Sequence, residues 1–346
     1  MRDGVFRYDL QEVASRTVPG QYGFVALNNP KRFSHRRPPA DMQMLVQPFD
    51  PNQFNFNRVK EKEVLFEVRR RRKDEGQDTA EGEGHMIAVN VSPIDRGHVL
   101  LVPEPSSCLP QVMTLSSLQL CLELVSLSGH SGFCMVANSL LAYASVNHLH
   151  YHFLYIDHPH LPARTLGGRE VNGTRGCYQL TRHYVRGFGF QLDSDPQSCA
   201  RAIFQVVSLL LVSGVPYNIA MLRGPPFSDP HAPSDPRHPP SAPPSLVRTI
   251  LIPRKPVLGL KQLYQRVGPP PPLFAASCEL ALGLIPVMGG PHLSKRILPY
   301  YCCTDMETYA TITEEEIVAI LKEQELTEDE FSALVDKLSS YNETKS

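Results

Sequence analysis

Three histidines in strict alternation, His148, His150 and His152, sit in an apolar stretch between Ser145 and Ile156. On an extended chain residues i, i+2 and i+4 share one face, so the spacing predicts a single row of imidazoles, roughly 6–7 Å apart at Cα. Leu149, Tyr151 and Phe153 turn to the opposite face, where they can be buried. Such a row has three readings. A neutral imidazole is nucleophilic near pH 7 and can attack phosphorus while its neighbours fix its tautomer and bind phosphate oxygens. Three imidazoles can hold zinc with one position open. Or the row is a polar strand face without chemistry. Unpartnered buried imidazoles are costly, so the row is expected to border a cleft.

The elements that must position the row read as follows. Met86 to Val91 and His98 to Val102 read as two strands joined by the turn Ser92–Gly97. Thr114 is a plausible N-cap, and Leu115, Leu118, Leu122 and Val125 recur at helical spacing. Cys134–Asn138 is the next strand, and the histidine strand follows a short polar loop. In that loop Asn138, Ser139 and Ser145 can present donors to phosphate oxygens. Strand, strand, helix, strand, strand predicts an α+β arrangement, an antiparallel sheet packed with helices. The order partly recurs downstream. Gly187–Leu192 reads as a strand, Pro196 opens a helix, and Tyr217–Leu222 and Val247–Ile252 are strands. Arg248 and Arg254 stand near the last of these instead of histidines, so a degenerate duplicated half is expected.

The division that follows is 1–84, with little pattern at its start; 85–165, the histidine half; 166–310, the second half; and 311–346, a helical tail. Tyr22–Leu27 reads as a short strand, 49–56 as a coil held by aromatic anchors, and Val64–Val68 as a strand or short helix. Five cations, Arg69 to Lys73, lack interleaved aromatics, so a solvated loop of mixed charge is expected rather than a nucleic-acid patch. Leu166 to Gly168 marks a turn, Asp157 to His160 a surface loop, 225–244 a Pro-rich surface insertion and 268–272 a rigid proline connector. Thr313 with Glu316, and Thr327 with Glu330, form capping boxes of two tail helices.

The 346 residues balance 34 Lys and Arg against 35 Asp and Glu, which gives no global charge to attract nucleic acid or a membrane. No apolar run reaches the ~18 residues that would span a bilayer. The first residues lack an apolar stretch of signal-peptide length. Eight cysteines, with no Cys-x-x-Cys pair, suit free thiols in a reducing, cytoplasmic setting. Neither nucleic acid nor membrane is expected as a partner, and no feature fixes an oligomeric state.

The His-x-His-x-His run followed by apolar residues resembles the histidine-triad superfamily. The flanks Leu27–Arg32, Gln47–Pro51 with Phe54–Phe56, Pro93–His98 and Pro162–Thr165 resemble, within it, the GDP-hexose phosphorylases of animals and plants. The resemblance implies two displacements at the α-phosphorus of a GDP-hexose, GDP-D-glucose in animals. His150 attacks to form a guanylyl-histidine, and inorganic phosphate then releases GDP. It further implies that His148 orients His150, that His152 donates to phosphate, and that Asn138, Ser139 and Ser145, with Lys31 and Arg32 from a basic segment, contact phosphates. The scheme requires no metal or other cofactor. A histidine-triad hydrolase using water, and a non-catalytic zinc- or nucleotide-binding module, are the alternatives.

Overall fold

A computed structural model describes residues 4–8, 13–28, 37, 39–74, 77–80, 84–95, 97–156, 167–172, 174–181, 183–227, 245–259, 284–287 and 306–343. Lys31, Arg32, the 157–160 pair, the 162–165 flank, most of the Pro-rich insertion and the 268–272 run lie outside them.

In chain order the strands are β1 (Ala14–Thr17), β2 (Val25–Asn28), β3 (Val64–Val68), β4 (Arg71–Asp74), β5 (Gln77–Ala80), β6 (His85–Val89), β7 (Val99–Val102), β8 (Phe133–Asn138) and β9 (Tyr151–Tyr155). They continue with β10 (Gly167–Glu170), β11 (Tyr178–Thr181), β12 (Phe188–Leu192), β13 (Tyr217–Gly224), β14 (Leu246–Pro253) and β15 (Leu284–Val287). Helices are α1 (Leu115–Leu127), α2 (Pro196–Val212), α3 (Met306–Thr311), α4 (Glu314–Glu323) and α5 (Glu328–Glu343).

Ten strands form one antiparallel sheet in the order β10-β11-β12-β14-β13-β8-β9-β7-β6-β3. Within it two runs repeat. β6-β7-α1-β8-β9 occupies the sheet as β8-β9-β7-β6, and β11-β12-α2-β13-β14 occupies it as β13-β14-β12-β11. The runs meet where β8 pairs with β13, Asn138 opposite Asn218.

Each helix forms for a local reason. Thr114 and Ser117 close a reciprocal capping box on α1. Asp195 accepts from the Gln197 and Ser198 N–H groups ahead of α2, with Pro196 at its first turn. Leu118, Leu122 and Val125 of α1, with Ile203, Val206 and Leu210 of α2, bury against one face of the sheet, which supplies Met135, Tyr151, Phe153, Phe190 and Met221. Phe331, Leu334 and Leu338 of α5 join that core. The expected capping boxes start α4 and α5. On the opposite face Phe24, Leu27 of β2, and Ile317 and Leu321 of α4 share one core with Val136 and Leu154 of the first half and Ala220 and Ile250 of the second.

Some expectations are corrected. The basic run enters a hairpin, with Arg71–Asp74 paired to Gln77–Ala80, rather than a loop. The sequence around Gly167 begins β10 instead of a turn, and β1 forms in the segment without pattern by pairing to β2. In both added pairings a neighbouring strand's main-chain groups set the extended state, which side-chain pattern does not announce.

Candidate active site

The histidines are not one strand row. β9 begins at Tyr151, so only His152 lies on it, opposite Leu100 and Val136. His148, Leu149 and His150 run instead beside residues 109–111. Leu149 N–H donates to Leu109 O at 2.8 Å, and His150 N–H donates to Gln111 Oε1 at 2.9 Å. Gln111 Nε2 donates to Asn138 O (2.9 Å) and His150 O (3.2 Å). One side-chain amide thus takes the place of the ladder between the ends of β8 and β9 and satisfies three main-chain groups. Gln111 is anchored in turn by its own N–H, which donates to Asn147 Oδ1 at 2.9 Å. Asn147 Nδ2 bonds the Gln47 and Pro48 carbonyls.

This path sends the three rings to different tasks. His148 is fully buried, with Phe49 and Phe56 rings 5.2 and 5.8 Å away. Its Nδ1 accepts the Phe56 N–H at 3.0 Å, which pins the 49–56 coil over the site. Its carbonyl lies 2.7 Å from His150 Nδ1. A carbonyl only accepts, so His150 carries its proton on Nδ1, and Nε2 keeps the lone pair. Burial, the largest cause, pushes the His150 pKa down to about 4; its hydrogen bond to the His148 carbonyl opposes this and the His148 ring adds to it. The ring is therefore neutral and nucleophilic at pH 7.

His152 is set by a residue outside the alternation. His98 Nδ1 accepts the Ile94 N–H at 3.0 Å, so in the neutral ring Nε2 is the donor, and it lies 2.9 Å from His152 Nδ1. His152 then carries its own proton on Nε2, as a donor. The His150 and His152 ring centres are 5.2 Å apart. Both line a hollow with Ser145, Ser92, Arg7 and Arg37. The Nδ1 atoms of all three histidines are thus engaged within the protein. Among the described residues no three His, Cys, Asp or Glu side chains converge as a metal site.

The other expected residues divide. Ser145 lines the hollow. Ser139 is buried and turns its hydroxyl into the loop, donating to Leu140 O (3.0 Å) and accepting Tyr217 N–H (2.9 Å). Asn138 Oδ1 accepts Asn218 Nδ2 at 2.6 Å across the seam of the sheet. Between Ser139 and Ser145 the chain makes a tight turn with Leu141 (φ 58°) and Tyr143 (φ 73°) in left-handed conformations, costly for residues with a Cβ. The second half and the tail hold that turn: Asn218 Nδ2 donates to Ala142 O (3.0 Å), Val257 N–H to Leu141 O (2.9 Å), and Tyr143 OH to Gln324 Oε1 (2.8 Å). His98, Gln111 and Asn147 were not foreseen: His98 and Gln111 are single polar residues that reach the site from far along the chain, and Asn147, beside His148, acts through the distant carbonyls of Gln47 and Pro48.

In fold the chain is similar to the yeast Ap4A phosphorylase Apa2. The likeness has a TM-score of 0.54 at 14% identity and covers 99% of this chain and 94% of that one. The Ap4A-bound form gives 0.51 at 15% identity, over 92% and 90%. The likeness is one of fold, an antiparallel sheet packed with helices. Residues 1–154 match the family model "GDPGP1-like, N-terminal domain". GDP-D-glucose phosphorylase 1 of Xenopus laevis is 30% identical, over 99% of this chain and 85% of its own length. The human protein of that name is 36% identical, over 82% and 70%. Arabidopsis GDP-L-galactose phosphorylase 2 is 32% identical, over 62% of this chain and 53% of its own. The chain belongs to the GDP-D-glucose phosphorylase family.

Proposed function

We propose that the protein converts GDP-D-glucose and inorganic phosphate to GDP and glucose 1-phosphate through a guanylyl group carried on His150. The observation that carries this reading is the 2.7 Å bond from His150 Nδ1 to the His148 carbonyl, which leaves Nε2 as the basic nitrogen of a neutral ring. Nε2 attacks the α-phosphorus, and the bond to the hexose phosphate oxygen breaks. That leaving group is a phosphate monoester with a second pKa near 6, so it departs without a strong general acid. A phosphate oxygen then attacks the same phosphorus, and the P–N electron pair returns to Nε2.

His152 Nε2–H and the Ser145 hydroxyl donate to the non-bridging oxygens where charge builds. Asn138 and, outside the described residues, Lys31 and Arg32 are kept in this reading as further phosphate-binding residues, and Ser139 acts by shaping the turn. The substrate class is supported by the names of the relatives. A cytoplasmic location is supported by the free thiols of Cys108, Cys121, Cys134, Cys177 and Cys199 among the described residues. Among the described residues no helix is long and apolar enough to cross a membrane.

The test is mass spectrometry of the intact protein mixed with GDP-glucose in phosphate-free buffer, under conditions that preserve phosphoramidates. A guanylyl adduct on His150, discharged as GDP when phosphate is added, is expected. Discharge as GMP whether or not phosphate is present would make the protein a hydrolase of the same class. Absence of any adduct would end the proposal.

A further inference from the structure

We infer that Arg37 and Arg7 form the seat of the second phosphate, the one that leaves with the hexose in the first step and the one that attacks in the second. The inference rests on His150 as the guanylyl carrier. It starts from charge. Two guanidinium groups line the hollow that contains His150 and His152, with Glu63 as the one carboxylate among its described lining residues. Arg37 is half-buried with its guanidinium carbon 3.2 Å from the centre of the Phe54 ring. Stacking uses the face of the guanidinium and leaves its edge donors, which fit phosphate oxygens in pairs.

Arg7 is brought to the same place from the other end of the chain. Its N–H donates to Val91 O at 2.9 Å, and the neighbouring Tyr8 hydroxyl donates to the Pro93 carbonyl. Burial, with the Arg7 charge adding to it and Glu63 opposing, lowers the Arg37 pKa to about 10. Two cations sharing a partly dry hollow repel, and a dianion relieves that repulsion while a water molecule does not. The pair therefore gives phosphate an advantage over water as the second nucleophile, a choice the histidines alone do not make. In the step so favoured, a phosphate oxygen bonds to the guanylyl phosphorus, the P–N bond breaks and its electron pair returns to His150 Nε2, giving GDP. In the first step the same guanidiniums neutralise the charge that develops on the departing hexose 1-phosphate.

The experiment compares the full-length protein with R37Q, R7Q and R37K. Each is loaded on His150 with guanosine 5′-phosphorimidazolide, whose leaving group is a neutral imidazole, and then discharged across a range of phosphate concentrations while GDP and GMP are counted. For R37Q and R7Q the phosphate concentration giving half-maximal discharge should rise about tenfold or more, as loss of a charged hydrogen-bond partner predicts. The GMP share should rise with it, imidazolide loading should stay near the wild-type rate, and R37K should recover part of the phosphate response. Half-maximal phosphate within about twofold of wild type in both Gln variants would overturn the inference, taking a single lost contact to be worth more than that. So would a parallel loss of imidazolide loading, which marks a structural role. Failure of the wild-type protein to load would instead overturn the carrier role of His150 and this seat with it.

Discussion

On β9 the side chains turned away from the helices are His152 and Leu154; on β14, its counterpart in the strand order, they are Arg248, Ile250 and Ile252. Over β7 and β9 that face borders the hollow. Over β12 and β14 it is filled by Tyr184, Phe227, Ile317 and Leu321. Phe227 fits because Gly189 is bare: a Cβ there would lie 2.5 Å from Phe227 Cζ. Arg248, fully buried, lies with its guanidinium carbon 3.8 Å from the centre of the Phe227 ring. We propose that the two runs are copies of one unit. The comparison then teaches that the frame does not make the site. What makes it is a hollow left beside His152 on that face, with a histidine segment displaced from the ladder by Gln111.

The second copy contributes in another way. Arg254, at the end of β14, is buried and donates from Nη1 to Asn218 Oδ1 at 2.8 Å. Arginine has no acceptor, so this bond fixes which end of the Asn218 amide faces Asn138 and the Ala142 carbonyl. The guanidinium carbon also sits 4.5 Å from the centre of the Tyr143 ring.

The comparison can be broken first at His150. H150N is expected to lose at least about 10⁴-fold in turnover, as removal of a nucleophile does. If stopped-flow or endpoint assays found more than a trace of activity, His150 would not be the nucleophile and the contrast between the two copies would fail. Next in size is R254M. It frees Asn218 and leaves the turn after Asn138 unpinned, and misplacement of this kind costs about 10²-fold in kcat. Phosphate dependence should not change, because Arg254 does not line the hollow. A kcat equal to wild type would mean that the second copy only covers surface.

G189A should do the reverse. Steric conflict with Phe227 should destabilise the fold by about 1–3 kcal/mol in urea melts, with adduct formation on His150 intact. Loss of the adduct would show that the covered face bears on the open one. The last effect is in acid stability. The folded chain keeps His150 neutral down to about pH 4, against 6.5 for an ordinary histidine. Below about pH 6.5 the unfolded chain binds a proton that the folded chain does not, so this ring subtracts stability as pH falls from 6.5 to 4, by up to about 1.4 kcal/mol per unit. H150N should show a shallower decline between pH 7 and 5, and an unchanged slope would place the ring in a wetter setting than the described one.

The paired elements were legible because each copy has apolar strand runs bounded by turn residues and a helix with a readable start, Thr114 in one and Pro196 in the other. What was hidden depends on distance in the chain. Nothing local marks Gln111, whose amide serves residues 138 and 150, or His98, which meets His152 from 54 positions away. The alternation of histidines is a sound strand pattern, and it misled only because a side chain took the backbone bonds that a neighbouring strand would have made. β10 and β11 were missed for the opposite reason: their sequences are weakly apolar, and pairing to β12 supplies what composition does not.

The bond ladder between β8 and β13 makes the two copies inseparable in practice. The family's N-terminal match stops at residue 154, inside β9, although β8 still has its far edge paired to the second copy. A polypeptide truncated there would display a bare, buried-type strand, a template for self-association. Dividing the gene at that point is therefore expected to yield two aggregating fragments rather than a small working enzyme and an inert remainder.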